Sequence, residues 1–133
     1  AVGVTEDKNI SRMTIVVDGD EYVVEQLEKQ LNKVIPGIKV KTLETGAYIP
    51  RTLSLIKVAV GASQRAEIMR VTELMGAKIV DATRTTMTVE FSDTAERTET
   101  LETLLRPYGV KEIVRTGIIA IEKGPDPTRT VKK

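Results

Sequence analysis

Apolar and polar positions alternate with two different periods along this chain, and the switches between them mark out its elements. Residues 12–17 predict a strand, because Met13, Ile15 and Val17 share one face and the run is rich in β-branched side chains. Asp18, Gly19 and Asp20 predict a turn, with Asp20 placed to cap a helix over 21–35. That helix carries one apolar stripe, Val24, Leu27, Leu31 and Val34, and stops at Pro36 and Gly37. Residues 38–43 alternate again and predict a strand. Residues 45–50 show no period and read as a connector.

The remainder of the chain is patterned more strongly. Residues 53–60 predict a strand with Ile56, Val58 and Val60 inward and Lys57 outward. Gly61, Ala62 and Ser63 open a helix with Ser63 as its N-cap, a stripe of Ile68, Val71 and Met75 with Leu74 alongside, and Gly76 as its stop. Residues 77–83 predict a strand with Ile79 and Val80, and 86–91 another with Met87, Val89 and Phe91 inward. Residues 93–96 resemble a capping box before a helix bearing Leu101, Leu104 and Leu105, which Pro107, Tyr108 and Gly109 end. A last strand region, 110–121, is interrupted by Gly117, and 124–133 reads as a flexible tail.

From residue 53 the order is β-α-β-β-α-β, the pattern of an antiparallel sheet with two helices on one face. The front of the chain reads only β-α-β, and it repeats the back half of the later unit. Met13-Thr14-Ile15 parallels Met87-Thr88-Val89, and Pro36-Gly37-Ile38-Lys39 parallels Tyr108-Gly109-Val110-Lys111. The expected fold class is therefore α+β, with tandem ferredoxin-like (βαββαβ) units of which the first is partial. The expected division is a partial unit over 1–46, a linker over 47–52, a complete unit over 53–123 and a tail over 124–133. Without its opening strand the first unit would present open sheet edges, and would be weak alone or completed by another chain.

Composition narrows the chemistry. The 133 residues contain no His, Cys or Trp, which removes the commonest general base, the thiolate nucleophile and the zinc–cysteine site. Lys and Arg number 20 against 19 Asp and Glu, so the chain has no strong field for nucleic acid or acidic lipid. Only Tyr22, Tyr48, Phe91 and Tyr108 are aromatic, and Phe91 is in phase with buried positions, which argues against a base-stacking sheet of the RNA-binding type. No apolar run is long enough to span a membrane and no signal peptide is visible, so a cytoplasmic protein is expected.

Few side chains suggest a site. No glycine-rich phosphate loop is present. Glu6 and Asp7 form an acidic step that could meet a hard cation, although exposed acidic pairs are usually just solvated. Asp81, Arg84, Glu112 and Arg115 could form a polar cluster for a ligand carboxylate or ammonium; ordinary surface ion pairs are the preferred reading. Lys57 has nothing around it to lower its pKa as a Schiff-base lysine would require. The expectation is a protein without catalytic residues of its own.

Several of these segments resemble one family in order and over nearly the whole chain. They are Ser11-Arg12-Met13-Thr14-Ile15-Val16-Val17, the helix Val24-Glu25-Gln26-Leu27-Glu28-Lys29-Gln30-Leu31, Leu55-Ile56-Lys57-Val58, Ala77-Lys78-Ile79-Val80-Asp81, and the run from Tyr108 through Gly109-Val110-Lys111 to Gly117. Together they resemble the regulatory (small) subunit of acetolactate synthase, also called acetohydroxyacid synthase. The resemblance implies an N-terminal ACT domain followed by a ferredoxin-like domain in a homodimer. It implies valine, leucine or isoleucine as the effector, bound between paired ACT domains. The implied partner is a separate catalytic (large) subunit, which holds thiamine diphosphate, Mg2+ and FAD; the small subunit itself holds no cofactor or metal. The subunit would activate that enzyme and confer feedback inhibition in branched-chain amino-acid biosynthesis. A stand-alone amino-acid sensor of ACT type is the alternative. The resemblance further implies that the family's first strand, the loop after it and the first helix are missing here, although they supply N–H groups to the effector carboxylate. Val2 and Gly3 are then the effector-contacting positions that remain, a partial pocket from which weak or no effector inhibition is expected.

Overall fold

A twelve-residue strand, Tyr48–Ala59, organises the molecule. The computed structural model describes residues 1–17, 20–34 and 39–128. In chain order the elements are β1 (Val2–Val4), β2 (Ser11–Met13), α1 (Glu21–Val34), β3 (Tyr48–Ala59), α2 (Arg65–Met75), β4 (Lys78–Ala82), β5 (Thr86–Asp93), α3 (Ala95–Leu105), β6 (Val110–Arg115) and β7 (Ile119–Glu122). A 3-10 turn, Arg106–Tyr108, joins α3 to β6.

From β3 onward the unit is β-α-β-β-α-β with strand order β4-β5-β3-β6, every neighbouring pair antiparallel. This is the ferredoxin-like arrangement expected from the sequence. Its core lies between the sheet and the helices. Ile56, Val58, Met87, Val89 and Phe91 point inward from the strands, and Ile68, Leu101 and Leu105 meet them from α2 and α3. The strict alternation along β3 and β5 follows from the pleat, which sends successive side chains to opposite faces.

Local chemistry sets the helix ends. Gly76 takes φ +77°, its N–H donates to the Glu73 carbonyl, and the Ala77 N–H reaches back to Thr72, so the last carbonyls of α2 are satisfied. The start of α2 differs from expectation. Ser63 does not cap it; Gln64 occupies that position without a side-chain cap, and its Oε1 accepts from the Gly61 N–H at 3.3 Å. The capping sequence before α3 is shifted by one residue. Thr94 is the N-cap and accepts from the Arg97 N–H, while Asp93 accepts from the Thr94 N–H. Leu104 and Leu74, expected on apolar stripes, are exposed; Thr98 and Thr72 are buried instead, each donating its hydroxyl to a carbonyl one turn earlier.

The stretch read as a connector and linker holds the first half of β3. Residues Tyr48 to Arg51 pair antiparallel with β7, and the residues beyond them pair with β6 and β5. Thr52 faces both Gly117 and Ile118, a β-bulge at the place where Gly117 was expected to interrupt the last strand. Pro50 breaks no ladder bond. The Lys123 N–H donates to the Ala47 carbonyl, so by alternation Ile49/Ile121 and Arg51/Ile119 are the bonded pairs, and Pro50 lies opposite Ala120 at an unbonded one.

The front of the chain departs furthest from expectation. Only Ser11–Met13 forms a strand, paired with β1, where 12–17 was expected. Thr14 exchanges bonds with Ala1, and among the described residues no strand lies opposite residues 15–17. Residues 39–43 form no strand, because no described strand lies beside them; Ile38 and the expected helix stop at Pro36 and Gly37 lie outside the described residues. Helix α1 forms as expected, with Asp20 Oδ1 accepting from the Val23 N–H at 3.0 Å, yet none of its residues is buried. Residues 124–128 carry no helix or strand, and 129–133 of the expected tail are outside the described residues.

Replacing Ile56, wholly buried at the centre of β3, with Ala is expected to cost about 2–5 kcal/mol. Leu104→Ala, at an exposed site on α3, is expected to cost less than about 1 kcal/mol. Urea midpoints with unchanged slopes would check both.

Candidate functional site

The two positions assigned to effector contact sit on the β1–β2 hairpin. Gly3 lies opposite Arg12, and Val2 opposite Met13. The Thr5 N–H donates to the Ile10 carbonyl, and Ala1 and Thr14 exchange bonds, so alternation makes Gly3/Arg12 a bonded pair. Both backbone groups of Gly3 are therefore committed to Arg12, whereas those of Val2 point away from the hairpin. A side chain at Gly3 would meet no atom within 4 Å, so packing in this structure does not require glycine there. Val2, Val4 and Met13 are each more than half exposed, leaving the hairpin with apolar side chains facing outward.

The hairpin is held from the side by β7. Arg12 Nη2 donates to the Ala120 carbonyl at 2.7 Å across 108 residues of sequence, and Arg12 is the half-buried member of β2. A second contact joins β7 to the segment after α1, where Lys41 Nζ lies 2.9 Å from Glu122 Oε1. Thr42 in turn donates to Glu28 on α1. A third contact is steric: a Cβ at Gly117 would stand 3.2 Å from the Ala1 nitrogen.

The other residues singled out in the sequence do not converge. Asp7 serves the β1–β2 turn, where its Oδ1 accepts from the Asn9 N–H and its carbonyl from the Thr5 hydroxyl. Lys57 and Glu112 face each other across β3 and β6 at 4.0 Å on the uncovered side of the sheet. Arg115, three residues on, is on the helix side. Asp81 and Arg84 make no ion pair among the described residues, nor is there among them a group of three or more carboxylates arranged to hold a metal.

Arg115 has a different partner from any expected. Its guanidinium grips both oxygens of Glu102 at 2.9 and 3.1 Å. The Glu102 side chain is 3% exposed and that of Arg115 58%, so the carboxylate is buried and the cation caps it from the surface. The sequence carried a signal for this pair: Glu102 lies in the stripe Thr98, Leu101, Leu105, where an unpartnered carboxylate would be costly. Ser54, opposite Arg115 on β3, has a buried hydroxyl without a hydrogen-bond partner among the described residues. The Arg12 link left no comparable trace, because an arginine on a short exposed hairpin looks like any solvated charge.

Among the described residues two titrations are perturbed. Burial pushes the Asp93 carboxyl up, but the Thr94 N–H, the Arg97 hydrogen bond and charge, and the Arg51 charge outweigh it and hold the group below its ordinary value. Burial and the adjacent Glu67 carboxylate, 3.2 Å from its hydroxyl, push Tyr108 up.

The uncovered sheet face is unusually apolar along one side. Ile49, Leu53 and Leu55 of β3 stand beside Ile121, Ile119 and Val114 of β7 and β6, and all six are exposed. The stripe runs about 20 Å along β3 at the rise of an extended strand. Arg51 stands between Ile49 and Leu53 on the same face, so one charge breaks the apolar stripe; exposed apolar surface of this extent is typical of contact surfaces.

Breaking the buried pair with Arg115→Ala is expected to cost about 1–3 kcal/mol, less than a fully buried pair because the guanidinium is half exposed; denaturant unfolding measures it. Asp93 should stabilise the fold fully above the unfolded carboxyl value of about 3.9, and that contribution should fade as pH falls through the lower folded value. Asp93→Asn should accordingly flatten the acid limb of a stability–pH profile.

Comparison with known proteins gives a consistent result. Residues 51–124 match the family model described as the small subunit of acetolactate synthase, and residues 1–39 match the AHAS small subunit-like ACT domain. The chain is 42% identical over 125 residues to the acetolactate synthase small subunit of Mycolicibacterium smegmatis, covering 94% of this chain and 74% of that one. It is 43% identical over 123 residues to a probable acetolactate synthase small subunit of Archaeoglobus fulgidus, covering 92% and 77%. The crystal structure of the acetolactate synthase small subunit from Thermotoga maritima superposes with a TM-score of 0.86 at 32% identity, over 94% of this chain and 78% of that one.

Proposed function

We propose, from the premise that this chain belongs to the acetolactate synthase small-subunit family, that it is the regulatory subunit of that enzyme. The observation that carries the proposal is the match of both units, in order, to the family's ACT and C-terminal models. In this reading it raises the activity of a separate catalytic subunit and makes it responsive to valine, leucine or isoleucine. The chemistry belongs to the partner, which is where thiamine diphosphate, Mg2+ and FAD would reside. The chain contributes binding and coupling, and works in the cytoplasm. The absence of His and Cys is compatible with a subunit that performs no acid–base or thiolate chemistry. No helix among the described residues is long and apolar enough to cross a membrane.

We further propose that the working form is a homodimer with the effector held between paired ACT units. Two features support assembly. Helix α1 has an amphipathic pattern but buries no residue, and the stripe from Ile49 to Val114 leaves six apolar side chains exposed. Val2 would contribute its outward-facing backbone groups to the effector site, and Gly3 the open space beside it. The residues 1–46 would form the ACT unit and 53–123 the C-terminal unit, joined by the β3/β7 ribbon.

Acetolactate formation by the catalytic subunit of the same organism, measured with and without the complete polypeptide at saturating cofactors, tests the proposal. A several-fold rise in turnover is expected, with valine, leucine or isoleucine lowering the raised rate. No rise would overturn the regulatory reading, and binding of an amino acid without any effect on the enzyme would favour a stand-alone sensor.

A further inference from the structure

We propose that Arg12 is the positioning residue through which the effector half of this chain is coupled to its C-terminal unit, with the edge of β7 as the receiving surface. The inference rests on the regulatory reading for its functional half, and on geometry alone for its structural half.

Among the described residues strand β7 has one strand neighbour, β3. Ala120 lies at an unbonded position of that ladder, so its carbonyl points away from β3, toward the open edge. An edge carbonyl ordinarily finds water. Here Arg12 Nη2 occupies it at 2.7 Å in a half-buried setting, a charge-assisted bond and stronger than one between neutral groups. On its other side Arg12 is bonded through its backbone to Gly3, the position assigned to effector contact. One residue thus touches the effector strand with its main chain and β7 with its side chain.

The path beyond β7 is equally short. Ile119 and Ile121 bond to Arg51 and Ile49, and the same strand continues without a loop into Ile56 and Val58 at the centre of the C-terminal core. A change in the hairpin that shifts Arg12 alters the seating of β7, hence the pairing of the first half of β3. The apolar stripe proposed for assembly is built on these same strands, so its shape follows their register. Lys41 and Glu122 make a parallel contact, but both are partly exposed, and such pairs are weak. Arg12 carries the load by comparison.

The experiment uses the complete polypeptide and Arg12→Gln, Arg12→Lys and Gly117→Ala. Gln is too short to reach Ala120 and carries no charge. Lys keeps the charge and a single donor. Gly117→Ala crowds Ala1 from the β7 side without touching Arg12. Amide hydrogen exchange is followed at Ile49, Arg51, Ile119 and Ile121, with Ile56 and Val89 reporting that the core remains folded. Arg12→Gln and Gly117→Ala are expected to speed exchange at the four ribbon amides about tenfold with the core unchanged, and Arg12→Lys to fall between. Unchanged exchange in Arg12→Gln would overturn the positioning role.

In the complex with the catalytic subunit, valine affinity is measured with and without the partner, and partner affinity with and without valine. Coupling is reciprocal, so both ratios in the wild type should agree, and both should fall toward one in Arg12→Gln by a common factor of about five or more. Loosened ribbon amides with undiminished coupling would overturn the transmission role. A wild-type complex indifferent to valine, leucine and isoleucine would instead overturn the regulatory reading, while the exchange comparison would still decide whether Arg12 seats the hairpin.

Discussion

The structure depends on β3 being one uninterrupted strand with two sets of ladder partners. Its second half is bonded on both sides, to β5 and β6, and carries the buried residues of the C-terminal core. Its first half is bonded to β7. The strongly buried half fixes the direction and register of the weaker half, because a one-residue slip would turn every inward side chain outward. What holds β7, and through it the front of the chain, is therefore paid for by apolar burial some distance away. The front itself has almost none: α1 buries no residue, and β1 and β2 are three residues each.

Electrostatics acts at the margins of this arrangement. Glu102 and Arg115 close the open end of the core between α3 and β6, next to the unpartnered hydroxyl of Ser54. Arg97 ties the start of α3 to the end of α2 through the Met75 carbonyl, lies over the Phe91 ring, and pairs with Asp93. Asp93 and Arg97 are four residues apart and meet locally, whereas the Glu102–Arg115 pair and the Arg97 contacts to Met75 and Phe91 form only once helices and strands are packed. They select among packings that burial alone would leave close in energy, rather than driving the collapse.

The C-terminal unit was legible wherever one face of an element is wholly buried. Met87, Val89 and Phe91 alternate with Thr86, Thr88 and Glu90, and the pleat admits no other assignment. Gly76 and Gly117 were legible because a left-handed turn and a bulge constrain side-chain choice. The first half of β3 was hidden because its pattern is inverted: Tyr48, Pro50 and Thr52 face inward while Ile49 faces out. The strand expected over 38–43 failed for the opposite reason. Its alternation is clear, but a strand needs a neighbour, and periodicity says nothing about who stands beside it. The candidate site was legible only in part. Val2 and Gly3 were expected from resemblance alone, and the Arg12 and Glu102 contacts join residues 108 and 13 positions away, which no local rule brings together.

The bulge at Gly117 and Ile118 gives the molecule a mechanical character that a flexible linker would not. A bulge adds right-handed twist to the strand that carries it, and here it falls between the β6 and β7 segments facing one continuous β3. The two ladders are joined as sections of a twisted bar. Such a bar resists bending and yields mainly by winding or unwinding, so motion between its ends takes the form of torque transmitted along the strand axis, with stiffness set by the ladder bonds themselves.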